Sequence, residues 1–131
     1  MIRVLVVDDS AFMRKAISMM LESAPDIEVV DIARDGRDAC DKVASLRPDV
    51  VTMDIEMPRM DGITALKHIM ASHPVPIIMI SSLTHEGAEA TVEALEAGAV
   101  DFLPKESATV SLSINKIQNE LIAKVRAVAG S

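Results

Sequence analysis

The sequence predicts an α/β fold, a parallel five-stranded sheet with helices packed on both faces. Five short runs rich in valine and isoleucine recur at residues 4–7, 28–32, 49–53, 77–80 and 100–103. Longer segments with apolar residues at helical spacing separate them. The strand runs are solidly apolar instead of alternating, which is the pattern of strands buried on two sides.

Taken in order, residues 4–7 stop at Asp8, Asp9 and Ser10, and Ser10 is of a type that caps helices. The helix that follows, over 11–23, places Met13, Ala16, Ile17, Met20 and Leu21 on one face. After the second strand, the helix over 35–46 carries Ala39, Val43 and Leu46 and stops before Pro48, which disfavours helix in the residue preceding it. Asp61-Gly62 is a turn into a helix over 63–71, and a helix over 88–97 ends at Gly98, the residue best suited to a left-handed stop. The last helix is expected to be the longest, because Val110, Ile114, Ile117, Leu121, Val125 and Val128 keep one stripe for about five turns. Right-handed crossovers then favour the flavodoxin-like (βα)5 three-layer sandwich with strand order 2-1-3-4-5. In that order strands one and three lie side by side where the winding reverses, and ligands bind beyond their carboxyl ends.

A chain of 131 residues that is half apolar suits one domain with one core. Thirteen basic against twenty acidic residues give a net charge of -7, which disfavours nonspecific binding to nucleic acid or to anionic membrane. No apolar run is long enough to insert in a bilayer, the N-terminal stretch lacks the apolar length of a secretory signal, and Cys40 has no partner cysteine. A cytoplasmic location is expected.

The strand ends carry the chemistry. Asp8 and Asp9 follow the first strand, Asp54 and Glu56 the third, Ser81 and Ser82 the fourth, and Lys105 the fifth. Singly each has an ordinary reading: Asp9 and Ser10 as caps, Asp54 as a loop aspartate, the serines as caps, Lys105 as a solvated lysine. Their coincidence on one rim points elsewhere. Carboxylates gathered so closely would retain protons unless a cation neutralised them, and oxygen ligands suit Mg2+, or Mn2+, over zinc. Magnesium that keeps its waters and takes only a few carboxylates expects a phosphoryl group. Asp54 is then a candidate nucleophile for an aspartyl-phosphate, with Lys105 and Ser81 for the phosphoryl oxygens. Met57 and Met60 read as loop packing, Phe102 as a core residue, and His68, His73 and His85 as surface residues without metal-site spacing.

The stretches LVVDDS, MDIEMPRMDG, IIMISS and GAVDFLPK resemble a response-regulator receiver domain over essentially the whole chain. VDDSAFMRK, PDVVTMDIEMPRMDG and MISSLT are similar to the receiver half of chemotaxis protein-glutamate methylesterases. The resemblance implies that a chemotaxis-type histidine kinase phosphorylates Asp54, that Asp8, Asp9, Asp54 and the backbone carbonyl of Glu56 hold Mg2+, and that the chain itself catalyses aspartyl phosphorylation and dephosphorylation. It implies that Ser81 and Phe102 are switch residues, with Lys105 beside the phosphoryl group. A phenylalanine at 102 has no hydroxyl, so its switching would act through packing alone. The family usually follows its lysine with proline, whereas Pro104 here precedes Lys105 and Glu106 follows it. The receiver would span residues 1–129, with 130–131 a tail or the start of a linker to an output domain. Alternatives are a solitary receiver, a receiver joined to a DNA-binding output, and a flavin carrier of the same fold. The last wants a Gly, Ser or Thr-rich phosphate loop where VDDSAF offers carboxylates.

Overall fold

The computed structural model describes residues 1–57, 60–81, 85–104 and 114–129. The strands are β1 (Ile2–Val7), β2 (Ile27–Ala33), β3 (Val50–Asp54), β4 (Ile77–Ser81) and β5 (Asp101–Pro104). The helices are α1 (Ala11–Glu22), α2 (Gly36–Leu46), α3 (Gly62–Ser72), α4 (His85–Glu96) and α5 (Ile114–Ala129). All strand pairs are parallel, in the order β2-β1-β3-β4-β5 that the sequence predicts.

The alternation hidden within the apolar runs sorts side chains between two cores. Leu5, Val7, Val51, Met53, Ile77 and Met79 pack with Ala39 and Val43 of α2, Leu66 and Ile69 of α3 and Ala94 of α4. Val4, Val6, Val50, Ile78 and Ile80 pack on the opposite face with Met13, Ile17 and Leu21 of α1 and Leu121 and Val125 of α5. Residues 4–7 are 0% exposed. Each such aliphatic side chain contributes roughly 1.5–3 kcal/mol of burial free energy, so the central strands are the rigid part of the molecule.

Helix ends follow local chemistry. Ser10, Asp35 and Asp61 cap α1, α2 and α3, each side chain accepting the amide three residues on, from Met13, Asp38 and Thr64. Arg47, next to Pro48, closes α2 in the left-handed region at φ 48°. Gly98, at φ 119°, follows α4 as expected of a glycine stop. The edge strand β2 carries a bulge at Val30, and Lys42 donates to the Ile32 carbonyl while Asp31 accepts the Ile32 amide at 2.8 Å. These side chains occupy edge groups that could otherwise pair with another strand.

Two differences from expectation stand out. Phe102 is not a core residue: it is 39% exposed, because β5 is an edge strand on which only Leu103 is buried. Helix α4 begins at His85, three residues before the apolar pattern starts. Val110, placed by the sequence on the last helix, lies outside the described residues.

Two stability predictions follow from these contacts. Thr52 is 0% exposed between Val6 and Ile78 of the flanking strands, and among the described residues its Oγ1 has no hydrogen-bond partner. Replacing this hydroxyl in Thr52→Val should stabilise the fold by about 1–2 kcal/mol, read as a higher urea midpoint with unchanged slope. At the surface, Arg126 donates to both carboxylate oxygens of Asp26 at 2.7 and 3.0 Å, and this bond holds the Asp26 carboxyl below its ordinary value of 3.8. A depressed carboxyl contributes stability above its unfolded pKa and loses it as pH falls through the folded one. The stability difference between wild type and Asp26→Asn should therefore be full at neutral pH and vanish in acid below that range, as denaturant titrations at several pH values will show.

Candidate functional site

The site lies where β1 and β3 run side by side. Val7 is in register with Met53, so Asp8 follows the end of β1 beside Asp54, the last residue of β3. Asp8 is 0% and Asp54 1% exposed, whereas Asp9 is exposed. One carboxylate oxygen from each of Asp8, Asp9 and Asp54 falls within 4.8 Å of the other two.

Both buried carboxylates lean on their own chain. Asp8 Oδ1 accepts the amide of Ser10 at 2.9 Å, and Asp54 Oδ1 accepts that of Glu56 at 3.3 Å. This is the local side-chain turn that aspartate readily forms. The Asp8 amide donates to Ala33 of β2 at 3.1 Å, and the Asp8 carbonyl accepts from the Arg14 guanidinium of α1 at 2.8 Å.

The β3–α3 loop is pinned by close backbone approaches. The Ile55 amide donates to Ile80 at 3.1 Å, and the Gly62 amide donates back to Ile55 at 2.9 Å. A Cβ on Gly62 would stand 2.2 Å from the Asp54 carbonyl oxygen, so only glycine lets α3 start against the end of β3. At the far end of the loop, the Gly36 amide donates to Met60 at 3.1 Å, and a Cβ there would lie 2.4 Å from the same carbonyl. Met57 is buried and Met60 packs against the same core, as loop packing requires. Cys40 sits half-buried against the Met60 sulfur at 4.0 Å, and burial pushes its thiol pKa up.

Of the residues expected from sequence, the structure brings together Asp8, Asp9 and Asp54, with Glu56 two residues beyond Asp54. Ser81 ends β4 one position after Ile80, the register partner of Asp54, and itself pairs with Pro104. Ser82, Lys105 and Glu106 lie outside the described residues. Arg14 and the close approach at Gly62 are contributors that sequence reasoning missed. Gly62 reads as a turn residue, and nothing in a sequence marks Arg14 as a donor to a backbone carbonyl.

The donor set fits a small hard cation. Magnesium–oxygen distances of about 2.1 Å put ligand oxygens roughly 3.0–4.2 Å apart around an octahedron. The three carboxylates are therefore within a small side-chain adjustment of such a shell, and an all-oxygen set matches Mg2+ or Mn2+.

Residues 4–115 match the response regulator receiver domain family. The chain belongs to that family. The receiver is 60% identical over 129 residues to a protein-glutamate methylesterase/protein-glutamine glutaminase of Oleidesulfovibrio alaskensis, covering 98% of this chain and 35% of that protein. It thus spans about a third of the length of the curated relatives it matches. Among solved structures, it is similar to the response regulator domain of Thermotoga maritima CheB, with a TM-score of 0.89 and 52% identity over 99% of this chain and 97% of that one. It is also similar to a chain of the CheX–CheY–BeF3–Mg2+ complex of Borrelia burgdorferi, with a TM-score of 0.71 and 39% identity over 79% of this receiver and 77% of that chain.

The glycine contact generates a prediction. In Gly62→Ala the methyl group must displace the backbone of Asp54 or of α3, at a cost of about 1–3 kcal/mol. The variant should lose that much in urea denaturation and bind Mg2+ less tightly in calorimetric titration, whereas the exposed Thr64→Ala nearby should leave Mg2+ affinity unchanged.

Proposed function

We propose that this receiver is the phosphoryl-accepting regulatory part of a chemotaxis protein-glutamate methylesterase. The observation that carries the reading is the convergence of Asp8, Asp9 and Asp54 within 4.8 Å at the end of the two central strands. The identity to methylesterase relatives supports the kind of parent protein, and Mg2+ accompanies a related chain in the Borrelia complex.

Asp8, Asp9, Asp54 and the Glu56 carbonyl hold Mg2+, which supplies charge neutralisation for the phosphoryl oxygens. Asp54 is the nucleophile. A carboxylate oxygen attacks the phosphorus of a phosphohistidine on the partner kinase; the new P–O bond forms as the P–N bond breaks with its electron pair going to nitrogen, and the imidazole departs neutral because its other ring nitrogen carries a proton. Asp54 ends β3 and is held by its own loop, so it is positioned before the donor arrives. Ser81 and Lys105 take phosphoryl oxygens, and hydrolysis of the acyl phosphate returns the free carboxylate.

The output surface in this reading is the α4–β5 side. Val92, Leu95, Val100 and Phe102 are exposed apolar side chains there, 57%, 39%, 48% and 39% accessible. Their occupant is the remaining two thirds of the methylesterase, and the Phe102 ring is the group that repacks on phosphorylation. The protein acts in the cytoplasm; among the described residues no helix is long and apolar enough to cross a membrane.

Incubation with acetyl phosphate and Mg2+, read by intact mass, should give a single phosphoryl adduct. The adduct should disappear with EDTA and in Asp54→Asn. No adduct on the wild type, or an adduct that survives Asp54→Asn, overturns the proposal.

A further inference from the structure

We propose that Arg14 is a positioning residue for the acidic site, a side chain on α1 that aims Asp9 at the cation by fixing the Asp8–Asp9 peptide. The inference rests on the magnesium reading given above and names a residue outside the ligand set.

The three carboxylates are not held alike. Asp8 and Asp54 each accept a main-chain amide two residues on, which orients the side chain directly. Asp9 is exposed, and among the described residues no hydrogen bond holds its carboxylate. Its direction is set by the backbone that carries it, chiefly by the peptide plane between Asp8 and Asp9. That plane is anchored through the Asp8 carbonyl, which accepts from Arg14 Nη1 at 2.8 Å, while the preceding Asp8 amide is anchored on Ala33. Rotating the Asp8–Asp9 plane would break the Arg14 bond and swing Asp9 away from Asp54. A hydrogen bond from a charged donor is about twice as strong as a neutral one, which suits a peptide with no further strand beyond it.

Arg14 is well placed for this role. It is half-buried, one position past Met13 on the flank of α1, with its amide tied to Ser10, the cap of the same helix. The cap, the guanidinium and the acidic pair therefore move as one unit. The rest of its side chain lines an open cavity of about 360 Å3 with Ile32, Arg34, Asp38 and Lys42, outside both apolar cores. Loss of the guanidinium leaves those cores intact.

Competing roles predict opposite signs. If Arg14 acted only as a positive charge beside a cation site, removing it would tighten Mg2+ binding. If it only supported the fold, thermal stability without metal would fall and affinity would not be singled out. As a positioning residue, its loss weakens the metal site while stability holds.

Mg2+ binding is measured by calorimetric titration on wild type, Arg14→Met and Arg14→Lys, and thermal midpoints are taken in EDTA. Arg14→Met, which keeps the aliphatic stem and removes the donors, should weaken Mg2+ binding roughly tenfold, the scale of lost outer-shell support in metal sites, with its midpoint unchanged. Arg14→Lys should bind more tightly than Arg14→Met. Equal or tighter binding by Arg14→Met, a parallel loss of its midpoint, or no recovery by Arg14→Lys overturns the inference while the magnesium reading stands. A wild-type chain that fails to bind Mg2+ overturns both.

Discussion

Two parallel neighbours, β1 and β3, each deliver a buried carboxylate to the same point, and the sheet imposes this against electrostatic preference. Like charges no more than 4.8 Å apart repel by at least about 3 kcal/mol at an effective dielectric of 20. The opposing term is the burial of the strands behind them. Shifting β1 against β3 to separate Asp8 from Asp54 would take residues 4–7 out of register with residues 50–53, and every one of those side chains is fully buried. The repulsion stays local, where amide donors reduce it and a cation can remove it.

The same economy of means governs the loops. Neither the β1–α1 turn nor the β3–α3 loop relies on side-chain packing alone; both are held by main-chain hydrogen bonds at short range. Gly62 brings α3 against the Asp54 carbonyl, and Gly36 brings α2 against that of Met60, so two helix starts grip the loop at its ends. Arg14 does for the Asp8 carbonyl what those glycines do for the loop. The Gly62 and Arg14 contacts limit backbone rotation beside Asp54 and Asp8, two carboxylates of the site.

Sheet order and the rim of acids were legible because they depend on side-chain chemistry in a fixed alternation. Solid runs such as VLVV can only be buried on both faces, and carboxylates that end them mark the carboxyl edge. Phe102 was not legible in the same way. Apolar character argues for the interior, but β5 is an edge strand whose alternation buries Leu103 and exposes its neighbour. The first turn of α4 contains Gly87, whose poor helix propensity argues against helix there, so the apolar pattern from Ala88 does not mark the start at His85. Arg14 and Gly62 act on backbone carbonyls, which every residue possesses, so the acceptors leave no trace in the sequence.

The position of Phe102 gains meaning from register. Val7, Met53, Met79 and Phe102 form one row across four strands, each paired with the next. Val7 and Met53 immediately precede Asp8 and Asp54, so this row lies directly beneath the acidic rim. Met53, on the strand that carries Asp54, and Met79, between that strand and the exposed ring, are unbranched and adaptable side chains that refill irregular space at low cost. Val7, Met53 and Met79 belong to the core that also contains Ala94 of α4, and parallel partners in register point to the same face. A shift at the end of β3 is therefore felt first by side chains that can repack without opening a cavity, and the ring at the end of the row is the one member with solvent into which, or out of which, it can turn.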